Sequence, residues 1–297
     1  MLRFGTVPIL WNNDDVPELT PPVPFEQVLD EMAQAGFVGT ELGTNYPRDP
    51  QALRAALASR GMTLSGAYYC PGLTEEAAAQ EALDSVDAFL DFLQAAGCET
   101  LIAAEPIRQE RDAIAGRVHA VGGPTLTDAQ WRTLADALNA LGARCKARGM
   151  GLAFHNHAGT YVETPGELKK LLNLTEPSLV GLCLDTGHYA FGGGNPVEAI
   201  DTYRNRLRYL HLKDLDPQVK ADLLKDRGSF MTALRRRIFT ELGRGCVDVK
   251  AIARLLMDAD WNGWVVAEQD TTLQSPLGSA KANREALVEV FGVPVAT

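Results

Sequence analysis

Short apolar runs rich in β-branched residues alternate with segments of helical spacing along the whole chain. The runs predict strands over residues 3–10, 38–42, 63–68, 100–104, 151–155, 180–184, 207–211 and 264–268. Between them, residues 25–35, 50–60, 75–96 and 128–148 place their apolar positions at helical intervals. Thr127 ahead of Asp128 and Gln130 predicts a capped helix start, and Gly97 and Gly149 predict helix stops. Eight strands with helices between them predict parallel βαβ units, and a TIM (β/α)8 barrel absorbs eight such units in about 250 residues or slightly more. A doubly wound open sheet is the competing α/β architecture, but it carries a glycine-rich phosphate turn after its first strand. Here Trp11-Asn12-Asn13-Asp14-Asp15 stands in that place. No linker, repeat or low-complexity tract interrupts the 297 residues, so one barrel domain over residues 1–297 is expected.

Two connections are long, 105–126 after the fourth strand and 213–248 after the seventh. Both leave the C-terminal ends of strands, the face on which barrels build their sites, and long segments there are expected to act as lids. Composition narrows the classes further. The chain is 46% apolar and 22% charged, ordinary for a globular protein with a sizeable core. No apolar stretch approaches the roughly 18 residues of a membrane span. Met1-Leu2-Arg3-Phe4-Gly5 reads as a first strand rather than a signal peptide, and a cytoplasmic protein is expected. Five cysteines without a CxxC pair argue against a disulfide framework and a cysteine zinc site. A net charge of −10 speaks against nucleic acid as the main partner. The Arg235-Arg236-Arg237 run reads as a solvated helix face, and Gly192-Gly193-Gly194, with no lysine after it, as a flexible turn. Whether the chain forms a homo-oligomer is left open by the sequence.

The chemistry gathers at the strand ends. Of five histidines, four lie in the segments Phe154-His155-Asn156-His157, Leu184-Asp185-Thr186-Gly187-His188 and Leu210-His211-Leu212-Lys213. His155, Asp185, His211 and Glu268 end predicted strands five to eight, and side chains at the last positions of barrel strands converge on one bowl. Two imidazoles and two carboxylates suit a divalent ion such as zinc, manganese, cobalt or iron better than magnesium, which prefers oxygen ligands. The bland reading, four polar residues that each finish a strand, weakens with every successive strand that repeats the pattern. His188 and His157 could bind substrate, orient a ligand or, for His188, hold a second metal. Lys213 is a candidate acid over the same bowl. Glu41 at the second strand end could hold substrate hydroxyls, with Trp11 as an aromatic wall and Asn12 as an amide. Glu105, ending the fourth strand, faces the same way.

With these motifs assembled, the chain resembles the xylose isomerase-like TIM-barrel superfamily of sugar isomerases, epimerases and endonuclease IV over nearly its whole length. Leu184-Asp185-Thr186-Gly187-His188, His211-Leu212-Lys213-Asp214 and Glu268 match the superfamily's aspartate, histidine and second glutamate metal ligands. Pro8-Ile9-Leu10-Trp11-Asn12-Asn13-Asp14, Gly39-Thr40-Glu41-Leu42-Gly43 with Tyr46-Pro47, and His155-Asn156-His157-Ala158-Gly159-Thr160 look most like the inosose dehydratase family. The resemblance implies a metal-dependent lyase that removes water from a small polyhydroxy ketone such as 2-keto-myo-inositol. It assigns Glu268, Lys213 and His188 to catalysis and Trp11, Asn12, Glu41 and His157 to the sugar or cyclitol. Epimerases of this type place a glutamate where this chain has His155. A metal-bound imidazole has no lone pair left to act as a second base, which favours dehydration over a two-face swap. A ketose 3-epimerase or aldose–ketose isomerase is the nearest alternative, and a non-catalytic sugar-binding barrel the alternative from another class. Endonuclease activity is disfavoured by the acidic surface.

Overall fold

A computed structural model describes residues 1–292. Eight parallel strands close into a barrel: β1 (Leu2–Thr6), β2 (Gly39–Glu41), β3 (Thr63–Tyr69), β4 (Thr100–Ala103), β5 (Gly151–His155), β6 (Val180–Asp185), β7 (Leu207–Leu212) and, after two short strands, β10 (Gly263–Ala267). Each strand pairs with its sequence neighbour, and β10 closes the ring on β1 from Leu2 opposite Gly263 to Thr6 opposite Ala267. Every residue of β6 and β10 is buried, as expected where a parallel sheet is covered on both faces.

The main apolar core lies between barrel and helices, where Leu64, Leu101, Leu152, Leu182 and Leu210 meet helix residues such as Leu90, Leu138 and Leu168. A second cluster of Ile102, Ala153, Cys183, Tyr209, Trp264 and Val266 comes from alternate faces of the same strands and fills the barrel interior. Two strand glycines make room for it. A Cβ at Gly39 would lie 2.4 Å from the Trp264 ring, and one at Gly66 would lie 2.7 Å from Ile102 Cδ1.

The first strand stops at Thr6 rather than at residue 10, because Pro8 starts a 3-10 turn over Pro8–Leu10. The capping box of Thr127 and Gln130 forms, and Gly97 ends its helix with φ 81°. Both long connections are structured. The first holds the short helices Gln109–Asp112 and Val118–Val121. The second holds Pro217–Lys225 and Phe230–Arg235, bracketed by the antiparallel pair β8 (Asp214–Leu215) and β9 (Phe239–Thr240). An apolar cluster of its own, including Val16, Ala115, Ala158, Phe191, Phe230 and Phe239, packs the loops after β1, β4, β5, β6 and β7 together. No described helix is long and apolar enough to cross a membrane.

Candidate functional site

The C-terminal ends of β5, β6, β7 and β10 bring His155, Asp185, His211 and Glu268 together, with one ligand-type atom of each within 4.8 Å of all the others. His155 Nε2 lies 3.5 Å from Asp185 Oδ2, and His211 Nδ1 lies 3.9 Å from the same oxygen and against Glu268 Oε2. Asp185, His155 and His211 are at most 2% exposed. Asp185 Oδ2, His211 Nδ1 and Glu268 Oε2 have no hydrogen-bond partner among the described residues. Buried polar atoms are normally paired, and three orphaned lone-pair atoms aimed at one point fit a divalent cation. The donor set of two imidazoles and two carboxylates leaves coordination positions open.

Asp185, His211 and Glu268 are each aimed by a neighbour. Glu41 Oε1 sits 2.5 Å from His211 Nε2. A carboxylate only accepts, so Nε2 carries the proton and Nδ1 keeps its lone pair for the cluster. Asp185 Oδ1 accepts the His188 N–H and caps the helix Thr186–Phe191, which leaves Oδ2 for the cluster. Asn156 clamps the Asp185 backbone from both sides, accepting its N–H at 3.0 Å and donating to its carbonyl at 3.2 Å. Thr186 Oγ1 in turn ties Lys213, donating to its carbonyl and accepting its N–H.

Lys213 and His188 lie behind this cluster, outside the wall of the cavity. The Lys213 ammonium is fully buried and donates to Asp270 Oδ1 at 2.9 Å, His188 Nε2 at 3.0 Å and Glu268 Oε1 at 3.1 Å, with Asp185 Oδ2 at 3.3 Å. Its stem runs against Gly187, where a Cβ would lie 2.6 Å from Lys213 Cγ. Burial works against the ammonium charge, but Asp185, Asp270 and Glu268 outweigh it and hold Lys213 above the ordinary lysine range. His188 packs on Phe230 and Phe239 with its ring 3.9 Å from that of His157. The expectation that Lys213 and His188 face substrate is therefore corrected. The 213–248 connection folds over them with its own phenylalanines, a long-range event that strand-end spacing does not encode.

In front of the cluster is a cavity of about 400 Å³, within the usual small-molecule range. His155, His157, His211, Glu268, Asp270, Glu41, Glu105, Asn12, Asn45, Asp14, Asp15, Tyr68, Cys70 and Ile107 line it with several neighbours. No lysine or arginine does so among the described residues. His157 Nδ1 lies 2.8 Å from the Ala158 carbonyl, which only accepts, so Nδ1 bears the proton and Nε2 is the lone-pair nitrogen. Burial above all, with His155 nearby, lowers the His157 pKa to about 3 and keeps the ring neutral. Asn12 lines the cavity while its amide is committed to both backbone groups of Val23.

Trp11 is a second correction. It is fully buried in the main core, with Nε1 donating to Glu31 Oε2 at 2.6 Å, because the turn at Pro8–Leu10 rotates it away from the bowl. The aromatic on the cavity wall is instead Tyr68 at the end of β3, 43% exposed and edge-on to His155. Sequence reasoning passed over Tyr68 and Asp270. Tyr68 sits within the third apolar run, and only its place near the end of that strand marked it out. Asp270 stands two residues past Glu268, close enough in sequence to share its strand end.

With the geometry in place, comparison with known proteins is informative. The family model described as xylose isomerase-like TIM barrel matches residues 29–289. An inosose dehydratase of Clostridium beijerinckii is 35% identical over 296 residues, covering 98% of each chain. One of Geobacillus kaustophilus is 36% identical over 293 residues, covering 95% of this chain and 92% of its own. The crystal structure of the IOLI protein with a binding zinc atom superposes with a TM-score of 0.72 at 13% identity, covering 98% of both chains, a likeness of fold. A closed eight-stranded barrel, a polar cluster at its C-terminal strand ends and these full-length likenesses agree, and the chain belongs to the xylose isomerase-like TIM barrel family.

Proposed function

We propose that the protein is an inosose dehydratase, removing water from 2-keto-myo-inositol by abstraction of the α-proton and loss of the neighbouring hydroxyl. The observation that carries the reading is the His155, Asp185, His211 and Glu268 cluster at the base of a cavity lined by carboxylates and amides, with no lysine or arginine among the described residues that line it. Such a wall suits a neutral polyol and repels a phosphorylated sugar. The full-length likeness to inosose dehydratases supports the specific substrate.

His155, Asp185, His211 and Glu268 would hold a divalent cation. When bound, it would polarise the ketone and stabilise the enolate as a Lewis acid. The imidazole nitrogens make zinc, manganese, cobalt or iron the better candidates than magnesium. Glu268 takes the α-proton. Burial would favour its neutral form, but the Lys213 ammonium 3.1 Å from Oε1 opposes this and keeps it ionised, the state a base needs. Lys213, itself fixed by Asp270 and His188, holds charge beside Glu268 as the proton moves. His157 offers its Nε2 lone pair to a ring hydroxyl, and Tyr68 and Ile9 supply apolar wall to the ring's C–H groups.

A two-base epimerase is less well supported, because His155 provides an imidazole where a second carboxylate base would be needed. Metal-loaded protein given 2-keto-myo-inositol should yield a product lighter by one water and little α-epimer, read by mass spectrometry and chiral chromatography. His155→Glu should add measurable epimerisation while keeping the metal. Wild-type turnover that yields only the epimer would reverse the assignment.

A further inference from the structure

With Lys213 and His188 enclosed, the departing hydroxyl needs another proton source, and the cavity wall holds one good candidate. Glu41 is spent on His211, Glu268 is the base and is held by Lys213, and Asp270 is spent on Lys213. Asp14 and Asp15 are exposed on the loop after β1. Glu105, just past β4, lines the cavity yet is 1% exposed. Its Oε1 accepts the Leu73 N–H at 2.7 Å, and its Oε2 is buried with no hydrogen-bond partner among the described residues. The Arg108 guanidinium stands 3.8 Å from Oε2, beyond hydrogen-bonding range, and its Nη2 donates to Thr74 Oγ1.

We propose that Glu105 is the acid that protonates the leaving hydroxyl, a role that rests on the dehydratase reading above. Oε1 is fixed by a backbone donor, so the proton belongs on Oε2 of this cavity-lining residue. Burial, against the pull of the Leu73 N–H, of Arg108 and of the nearby Thr74 hydroxyl, raises the Glu105 carboxyl to about 7, near the value an acid working at neutral pH needs. Glu268 removes the α-proton and the C–H electron pair enters the enolate, from which it goes on to form the new C=C bond. The C–O pair leaves with the oxygen, which takes the Oε2 proton and departs as water. Arg108 stabilises the resulting carboxylate until solvent restores its proton, and Glu268 gives its own proton to solvent.

The test is Glu105→Gln, which keeps the acceptor for Leu73 and the shape of the wall while removing the acid. Dehydration of 2-keto-myo-inositol should fall about 100-fold or more, while metal content and exchange of solvent deuterium into the substrate α-carbon stay at wild-type levels. An analogue with fluorine in place of the departing hydroxyl expels fluoride without a proton, and variant and wild type should process it at the same rate. Wild-type dehydration by Glu105→Gln overturns the proposal. An equal loss on the fluorinated substrate also overturns it, because the residue then serves only to shape the wall. Wild-type protein that exchanges deuterium but releases no water with any inosose overturns the dehydratase reading itself.

Discussion

His211 stands between two carboxylates that ask different things of it, Glu41 fixing its proton on Nε2 and Glu268 sharing the cluster with Nδ1. Glu41→Gln should therefore lower metal affinity by about 10–100-fold without emptying the site, as read by competition with a fluorescent chelator. Asp185→Asn and His211→Ala remove donors outright and should each abolish stoichiometric metal, as read by elemental analysis of the purified protein. Glu105 adds a pH signature. Its raised folded value means that the native state binds a proton the unfolded chain releases between about pH 4.5 and 7. That contribution to stability is complete below about 4.5 and is lost as pH rises through 7. Arg108, Cys70 and Glu75 are the charged or titratable groups that act with it. Glu105→Gln should flatten this stretch of the stability profile in denaturant titrations across that range. At this scale much of the site was legible, because period-two alternation in a strand puts the last residue at the rim. Trp11 and Lys213 were misplaced because a proline turn and a folded-over loop decide depth, and neither leaves a periodic trace.

Among the elements, the loops after β4 and β5 are bound to each other by buried charge. Arg111, fully enclosed, pairs bidentately with Glu167 at 2.8 and 2.9 Å, while Glu163 accepts the N–H groups of Gly116 and Gly159 with its two oxygens. Breaking a buried pair from one side strands the other charge, so Arg111→Met should destabilise the protein by about 3 kcal/mol or more, seen as an earlier denaturant midpoint at unchanged slope. The 105–126 segment carries Ile107 on the cavity wall, so KM should rise with it. The eight strands and the main helices were readable because each repeats its own period over many residues. The helices Gln109–Asp112 and Val118–Val121 and the β8–β9 pair are too short to repeat anything, and distant residues such as Val16 and Phe191 fix them in place.

Across the whole molecule, barrel closure turns eight separate strand ends into one cavity whose ionisable wall is acidic apart from three histidines. Phosphorylated ketoses of the same ring size should therefore be turned over with kcat/KM at least about 100-fold below the neutral ketone, a gap that narrows as salt screens the wall. A phosphorylated substrate preferred at low salt would contradict this account of specificity. The barrel could be read from the count of strands and the absence of a glycine-rich turn after the first. The sign of the cavity could not, because net charge says nothing about which of the acids face inward.

The clamp of Asn156 on the Asp185 backbone carries one last implication. Both contacts, like the helix cap by Oδ1, are made by protein groups alone, so the Asp185 donor is set before any ion arrives. Stripping the ion should leave circular dichroism nearly unaltered and lower the melting temperature only by the ion's own binding to the folded chain, unlike folds that collapse around zinc. Ions would then enter and leave a finished socket. Which one occupies it in a living cell would follow the relative abundance and intrinsic affinity of the available metals, so the same chain could work with different metals as supply changes.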